Sequence, residues 1–220
     1  MPVIVVASSK GGAGKSTTTV VLGTELAYAG ADVTLLDCDP NRSLSLWAAK
    51  APLPERIGVV SDITESAVVR VIKEHDADGR IVIVDLEGIA SRMVSRAISQ
   101  ADLVLIPMRA TVLDATIGVR SIALIAEEEE ALGRNIAHAV VFTMTRAIRS
   151  KQQNGIEASL RRQGVSIIEP PLMERAAFSA LFEFGGNLRS IPEQGNMQGA
   201  IENAAAFAAA VYGELRGALQ

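Results

Sequence analysis

Two lysines, three glycines and two serines crowd into one short stretch near the start of the chain, Ser9-Lys10-Gly11-Gly12-Ala13-Gly14-Lys15-Ser16-Thr17. The spacing Ser9-x4-Gly14-Lys15-Ser16 is that of a phosphate-binding P-loop, with serine where a first glycine is usual. Glycines at such a turn let backbone N–H groups approach phosphate oxygens, and a helix starting there adds a favourable dipole. The lysine reaches the β- and γ-phosphates and the following hydroxyl ligates Mg²⁺. A tight glycine turn with no ligand accounts for Gly11 and Gly12 but not for Lys15-Ser16 at that distance. A dinucleotide-binding turn would need a third glycine near position 16 and no lysine. Gly11, Gly12, Ala13, Gly14, Lys15, Ser16 and Thr17 are therefore candidate nucleotide-binding residues, with a nucleoside triphosphate and Mg²⁺ as the implied ligands.

Acids stand where such a site needs them. Val33-Thr34-Leu35-Leu36 delivers Asp37-Cys38-Asp39-Pro40-Asn41 to the carboxyl end of a strand, the end at which open α/β sheets bind ligands. Asp37 is the candidate for orienting an attacking water and holding the metal's water shell. Asp39 reads either as a switch acid or as an Asx turn stopped by Pro40. Asp85 closes the apolar run Ile81-Val82-Ile83-Val84, the Walker-B arrangement of an acid at a strand end beside Mg²⁺. Ser16, Asp37 and Asp85 are thus the candidate metal residues. Glu87 reads as a solvated loop acid, and the Gly88 N–H as a sensor of the γ-phosphate.

Alternating patterns supply the elements that hold these residues. Val3 to Ala7 is a continuous β-branched, apolar run, the mark of a parallel strand covered on both faces. Lys15 to Ala29 has helical spacing and stops at Gly30. Further strands are expected at Val33–Leu36, Ile81–Val84, Leu103–Ile106, Ala139–Phe142 and, more weakly, Val165–Ile168. Helices are expected at 61–75, 90–100, 112–132, 151–163, 174–183 and 197–218. Such alternation implies an α/β fold, a mostly parallel twisted sheet with helices on both faces, in one domain over 1–220. The connection Gly185–Gly195 reads as mobile.

Composition removes several classes. Cys38 is the lone cysteine, which excludes a disulfide framework or a four-cysteine cluster within one chain. The net charge of −4 announces no global field for nucleic acid, so any such contact must be a local patch. The N-terminus shows no secretory signal and no membrane span, which points to a cytoplasmic protein.

Lys10-Gly11-Gly12-Ala13-Gly14-Lys15-Ser16-Thr17-Thr18 resembles the deviant Walker-A signature of the ParA/MinD family, in which a lysine precedes the double glycine. With Asp37 to Trp47, Leu103 to Asp114 and Val141 to Arg146, the likeness covers nearly the whole chain. It is greatest to the short ParF-like partition proteins and their conjugation-associated relatives, which lack an N-terminal helix-turn-helix domain. The resemblance implies an ATP hydrolase that forms an ATP-bound homodimer, with Lys10 acting in trans on the partner's phosphates. It also implies nonspecific DNA binding in the ATP form, nucleoid association, and a centromere-binding or adaptor protein that stimulates weak hydrolysis. Lys10, Lys15 and Asp37 become the catalytic candidates. Arg146, Pro171 and Met173 complete the nucleotide-binding set.

Two relatives are excluded by what the chain lacks. Nitrogenase iron proteins need cluster cysteines, and MinD proteins end in a basic amphipathic membrane helix. Here Ile201 to Gln220 is alanine-rich with Arg216 its lone basic residue, and Ile201, Ala205, Ala208, Tyr212 and Leu215 are expected to pack on the sheet. Arg146, Arg149, Lys151, Arg161 and Arg162 against Glu157 form a basic stretch, of which Arg149, Lys151, Arg161 and Arg162 are the candidate DNA contacts. The alternatives are a positioning ATPase for a conjugation complex or other cargo, and a metabolic P-loop enzyme acting on a small substrate.

Overall fold

The computed structural model describes residues 2–77, 79–88 and 91–220. Among the described residues eight strands and eight helices alternate as far as β7: β1 Val3–Val6, α1 Lys15–Tyr28, β2 Val33–Cys38, α2 Ser43–Ala48, β3 Ile57–Val60, α3 Val68–Ala77, β4 Ile81–Leu86 and α4 Arg92–Ile98. The second half runs β5 Leu103–Arg109, α5 Val112–Leu132, β6 His138–Thr145, α6 Lys151–Arg162, β7 Ser166–Ile167, β8 Leu172–Met173, α7 Ala176–Phe184 and α8 Met197–Ala218. The sheet order is β3-β2-β4-β1-β5-β6-β7, with β8 also on β6, and every pairing is parallel.

Because side chains alternate along a strand, each strand feeds two cores. Ile4 and Val6 point with Leu35, Ile83 and Leu105 toward α1, α7 and α8, around Trp47 and Phe207. Val3, Val5 and Ala7 point with Leu36, Val84 and Ile106 toward α3 to α6, around Phe142 and Ile72. Both faces are covered, so the central strands read as unbroken apolar runs. β1 lies between β4 and β5, and the loop after it opens at the switch point where the chain leaves for opposite sides of the sheet.

Several expectations shift. The helix expected over 61–75 begins only at Val68, with the Thr64 carbonyl accepting from Ala67 and Val68, so 61–67 is loop and turn. β3, α2 and β8 were not visible as periodic segments, being an edge strand around Gly58, a six-residue helix and a two-residue strand. The helix expected over 90–100 is α4, from Arg92 to Ile98, and position 90 falls outside the described residues. The inward face of α8 is Ala200, Ala204, Phe207, Ala208, Val211 and Leu215, because the bulkier Phe207 and Val211 seat in the core. Ala205 and Tyr212 are exposed, and Ile201 is half-buried. The 185–195 connection is tied down: Trp47 Nε1 donates to the Gly186 carbonyl at 3.1 Å, and Arg189 pairs with Glu25 at 2.6 and 2.9 Å. The Arg189 guanidinium also lies 3.7 Å over the Tyr28 ring.

Candidate active site

The loop from β1 into α1 is shaped by glycine at positions where other residues are strained. Gly12 and Gly14 have φ of 72° and 87°, and a Cβ on Gly14 would press on Thr143 at 3.3 Å. Thr143 in turn donates its hydroxyl to the Ala13 carbonyl at 2.7 Å, fixing the loop to the end of β6. α1 begins at Lys15 with no side-chain cap and no acid in its first turn, so its N-terminal N–H groups are left for an anion. Lys15 is buried, and Ser16 and Thr17 are half-buried beside it. A cleft of about 540 Å³ opens here, lined among others by Gly12, Lys15, Ser16, Asp39 and Gly88, a size that suits a nucleotide.

The strand register brings the two predicted acids face to face, since Asp37 of β2 lies directly opposite Asp85 of β4. Asp37 Oδ2 accepts from the Ser45 N–H at 2.7 Å and its hydroxyl at 2.5 Å, standing in for the missing cap of α2. Asp37 Oδ1 is buried without a hydrogen-bond partner, and so are both oxygens of Asp85. Burial pushes the Asp85 carboxyl from 3.8 up to about 7; Ser16 and Lys15 pull against this, while Asp39 and Asp37 add to it. Burial, followed by Asp37 and Asp85, also raises the Cys38 thiol to about 12, which leaves it an unreactive neutral group.

Unpartnered buried carboxylate oxygens at a helix N-terminus are the donor set that a hard divalent cation takes, so Ser16, Asp37 and Asp85 fit Mg²⁺. Asp39 belongs to a local turn, its Oδ1 accepting from the Asn41 backbone at 2.8 Å and side-chain amide at 2.9 Å. Glu87 and Gly88 both line the cleft.

A smaller cavity of about 120 Å³ shares Gly14, Thr17 and Met144 with the cleft and runs on between Met173 and Phe178. Its apolar walls suit a base. Of the three residues named for this end, Met173 lines the cavity, whereas Arg146 and Pro171 line neither it nor the cleft. The Pro171 carbonyl instead accepts from Asn203 at 2.8 Å, and Asn203 also receives the Met173 N–H. Met144 and Phe178 were missed because apolar residues at helix and strand ends look like core in a sequence.

Lys10 does not point at its own phosphate cleft. Its ammonium forms an ion pair with the buried Asp114, which closes the Leu103 to Asp114 segment that shares in the family resemblance.

The basic stretch is partly neutralised within the chain. Arg149 pairs with Glu157 at 2.8 Å and with Glu169 at 3.3 Å, and Arg161 pairs with Glu169 at 2.6 Å. Glu169 lies beyond the stretch from Arg146 to Arg162, so the local charge of that stretch does not reveal it. Lys151 and Arg162 are exposed at the two ends of α6. Among the described residues no helix is long and apolar enough to cross a membrane.

The comparisons with known proteins agree with this geometry. A profile described as VirC1 protein matches residues 1–206. A protein of Rhizobium radiobacter named Protein ParA is 68% identical over 222 residues, covering 100% of both chains. Among solved structures, apo McdA of Cyanthece superposes with a TM-score of 0.75 at 18% identity over 100% of both chains. The MinD cell division protein of Aquifex aeolicus gives 0.74 at 21% identity over 97% of this chain and 98% of its own. A lysine before the double glycine, a Walker-type cleft with paired strand-end acids, and relatives along the full length lead to one assignment: with the fold of MinD and full-length likeness to a ParA protein, the chain belongs to the VirC1 family.

Proposed function

We propose that the chain is an ATP hydrolase that works as a partition or positioning switch, closing into a homodimer around ATP and opening after hydrolysis. The observation that carries this reading is the pair of buried, unpartnered carboxylates, Asp37 and Asp85, set across the strand register beside Lys15 and the uncapped start of α1. A simple anion site has no use for them. In this reading Lys15 holds the β- and γ-phosphates, and Asp37, anchored by Ser45, orients the attacking water through its free oxygen. Bound Mg²⁺ supplies charge neutralisation for the phosphates. Lys10 reaches the partner's phosphates in the closed dimer. The name of the 68% identical relative supports partition as the class of task.

In the ATP form the dimer binds DNA through phosphate contacts. Lys151 and Arg162 are the contacts we retain for this surface, because Arg149 and Arg161 already answer acids of their own chain. An adaptor protein then stimulates hydrolysis and releases the dimer. The test is sedimentation with nonspecific duplex DNA in ATP·Mg²⁺ and in ADP, at several salt concentrations. ATP-dependent binding that falls steeply with salt is expected. Binding in neither state, or equally in both, overturns the DNA-bound cycle.

A further inference from the structure

Glycine lets the phosphate loop take its shape but does not by itself hold it there. Gly12 and Gly14 have left-handed φ of 72° and 87°, and Ala13 between them does not. Such alternation turns successive N–H groups toward one side, where they form a concave seat for an anion. Glycine populates both signs of φ about as readily, so the peptide units around Gly12 are also free to rotate and present a carbonyl to the cleft instead. Two side chains from outside the loop oppose that rotation. Arg109 Nη2 donates to the Gly12 carbonyl at 2.9 Å, and the Thr143 hydroxyl donates to the next carbonyl, that of Ala13, at 2.7 Å. The donors come from adjacent strands, since Arg109 at the end of β5 is the register partner of Thr143 on β6. Both are themselves fixed. Thr143 is buried and pairs on its other side with Leu172 of β8. The Arg109 N–H donates to Asp114 Oδ2 at 3.3 Å, and the Arg109 carbonyl accepts from the Thr111 N–H at 2.8 Å. The Arg109 side chain is exposed and, among the described residues, is in no ion pair, so the loop carbonyl is what its guanidinium answers.

We propose that Arg109 and Thr143 are paired positioning residues that clamp successive loop carbonyls and so set the Ala13 and Gly14 N–H groups toward the phosphates before nucleotide arrives. The inference rests on the reading of this loop as a triphosphate site. A trans peptide points its C=O and the following N–H in opposite directions. Drawing the Gly12 carbonyl to Arg109 therefore turns the Ala13 N–H the other way, and drawing the Ala13 carbonyl to Thr143 does the same for the Gly14 N–H. Neither side chain lines the main cleft, so both act through the loop and not on the nucleotide. The charge on the guanidinium strengthens its bond to the Gly12 carbonyl. The nucleotide then meets donors already in place, and the cost of ordering a glycine-rich turn is met in folding instead of in binding.

The test measures ATP binding by calorimetry and steady-state ATP hydrolysis, both with Mg²⁺, for the wild-type chain and for Arg109→Ala, Arg109→Lys, Thr143→Val and Thr143→Ser. Arg109→Ala and Thr143→Val each raise Kd and KM about tenfold, the worth of one such hydrogen bond. The kcat stays within about twofold, because a preset loop grips substrate and transition state alike. Arg109→Lys and Thr143→Ser keep a donor and return to within about threefold of wild type. Should Thr143→Val fail to fold, Arg109→Ala decides, since an exposed side chain is removed without opening the core. A lowered kcat at unchanged KM in Arg109→Ala puts the guanidinium on the reacting phosphate and overturns the positioning role. If the wild-type chain binds no ATP, the reading of the site fails and the clamp with it. If the wild-type chain binds ATP and Arg109→Ala binds it equally well, only the clamp fails.

Discussion

At Asp85 the chain buries a carboxylate with neither oxygen hydrogen-bonded, opposite a second acid in the register. A carboxyl raised to about 7 in the folded chain, against an ordinary 3.8, is protonated in both states at low pH and costs nothing there. As pH rises from about 4 to 7, the unfolded chain ionises freely while the folded one must keep a proton or bury a charge, so stability falls across that window. Asp85→Asn is accordingly expected to melt above wild type at pH 8 without nucleotide, with the gap closing toward pH 4. The same variant loses Mg²⁺-dependent nucleotide binding, which a fluorescent ATP analogue titrated with and without Mg²⁺ will show. Asp37 carries a different burden, since one of its oxygens anchors α2 through Ser45. Asp37→Ala should bind nucleotide yet hydrolyse it about 100-fold more slowly or worse, read by steady-state phosphate release. A variant that keeps its rate removes Asp37 from the reaction.

The elements matter through their ends. β2 and β4 each run two residues beyond their apolar runs, to Cys38 and Leu86, and this extension places Asp37 and Asp85 within the ladder instead of on loose loops. The turn between β1 and α1 tolerates no side chain at Gly14, where a left-handed φ coincides with contact to Thr143. Gly14→Ala should lose nucleotide binding and destabilise the nucleotide-free chain by about 1–2 kcal/mol, measured by urea unfolding. On the opposite face, Glu25 at 4% exposure relies on the bidentate Arg189 to compensate its charge and to hold the connection between α7 and α8. Arg189→Ala strands that carboxylate. A loss of about 3 kcal/mol in the same unfolding experiment is expected, at the lower end for a broken buried pair because the arginine keeps some contact with solvent. α8 shows a related point. Alanines at helical spacing fit several faces equally well, and only Phe207 and Val211, seated against the sheet, decide which one turns inward.

For the whole molecule, charge does not follow the order of residues along the chain. A stretch that reads as basic folds so that Glu157 and Glu169 answer Arg149 and Arg161, which leaves Lys151 and Arg162 as the exposed cations we propose for DNA. Replacing Lys151 and Arg162 by alanine should weaken DNA binding uniformly across sequences and reduce the salt slope by about 1 for each phosphate no longer neutralised, read from binding isotherms at several salt concentrations. Arg149→Ala should instead appear mainly as reduced stability, because Glu157 is buried. The sequence by itself determined the fold class and the family and marked the candidate phosphate loop and its acids, because those signals are local: residue types at fixed spacing, and apolar runs long enough to demand two covered faces. The tertiary structure alone decided that Asp37 faces Asp85, that Lys10 rests on Asp114, that Met144 and Phe178 wall the smaller cavity beside the cleft, and that Glu169 neutralises two arginines. Each of these joins residues distant along the chain through strand register or helix packing, and no spacing rule reaches across a fold to pair them.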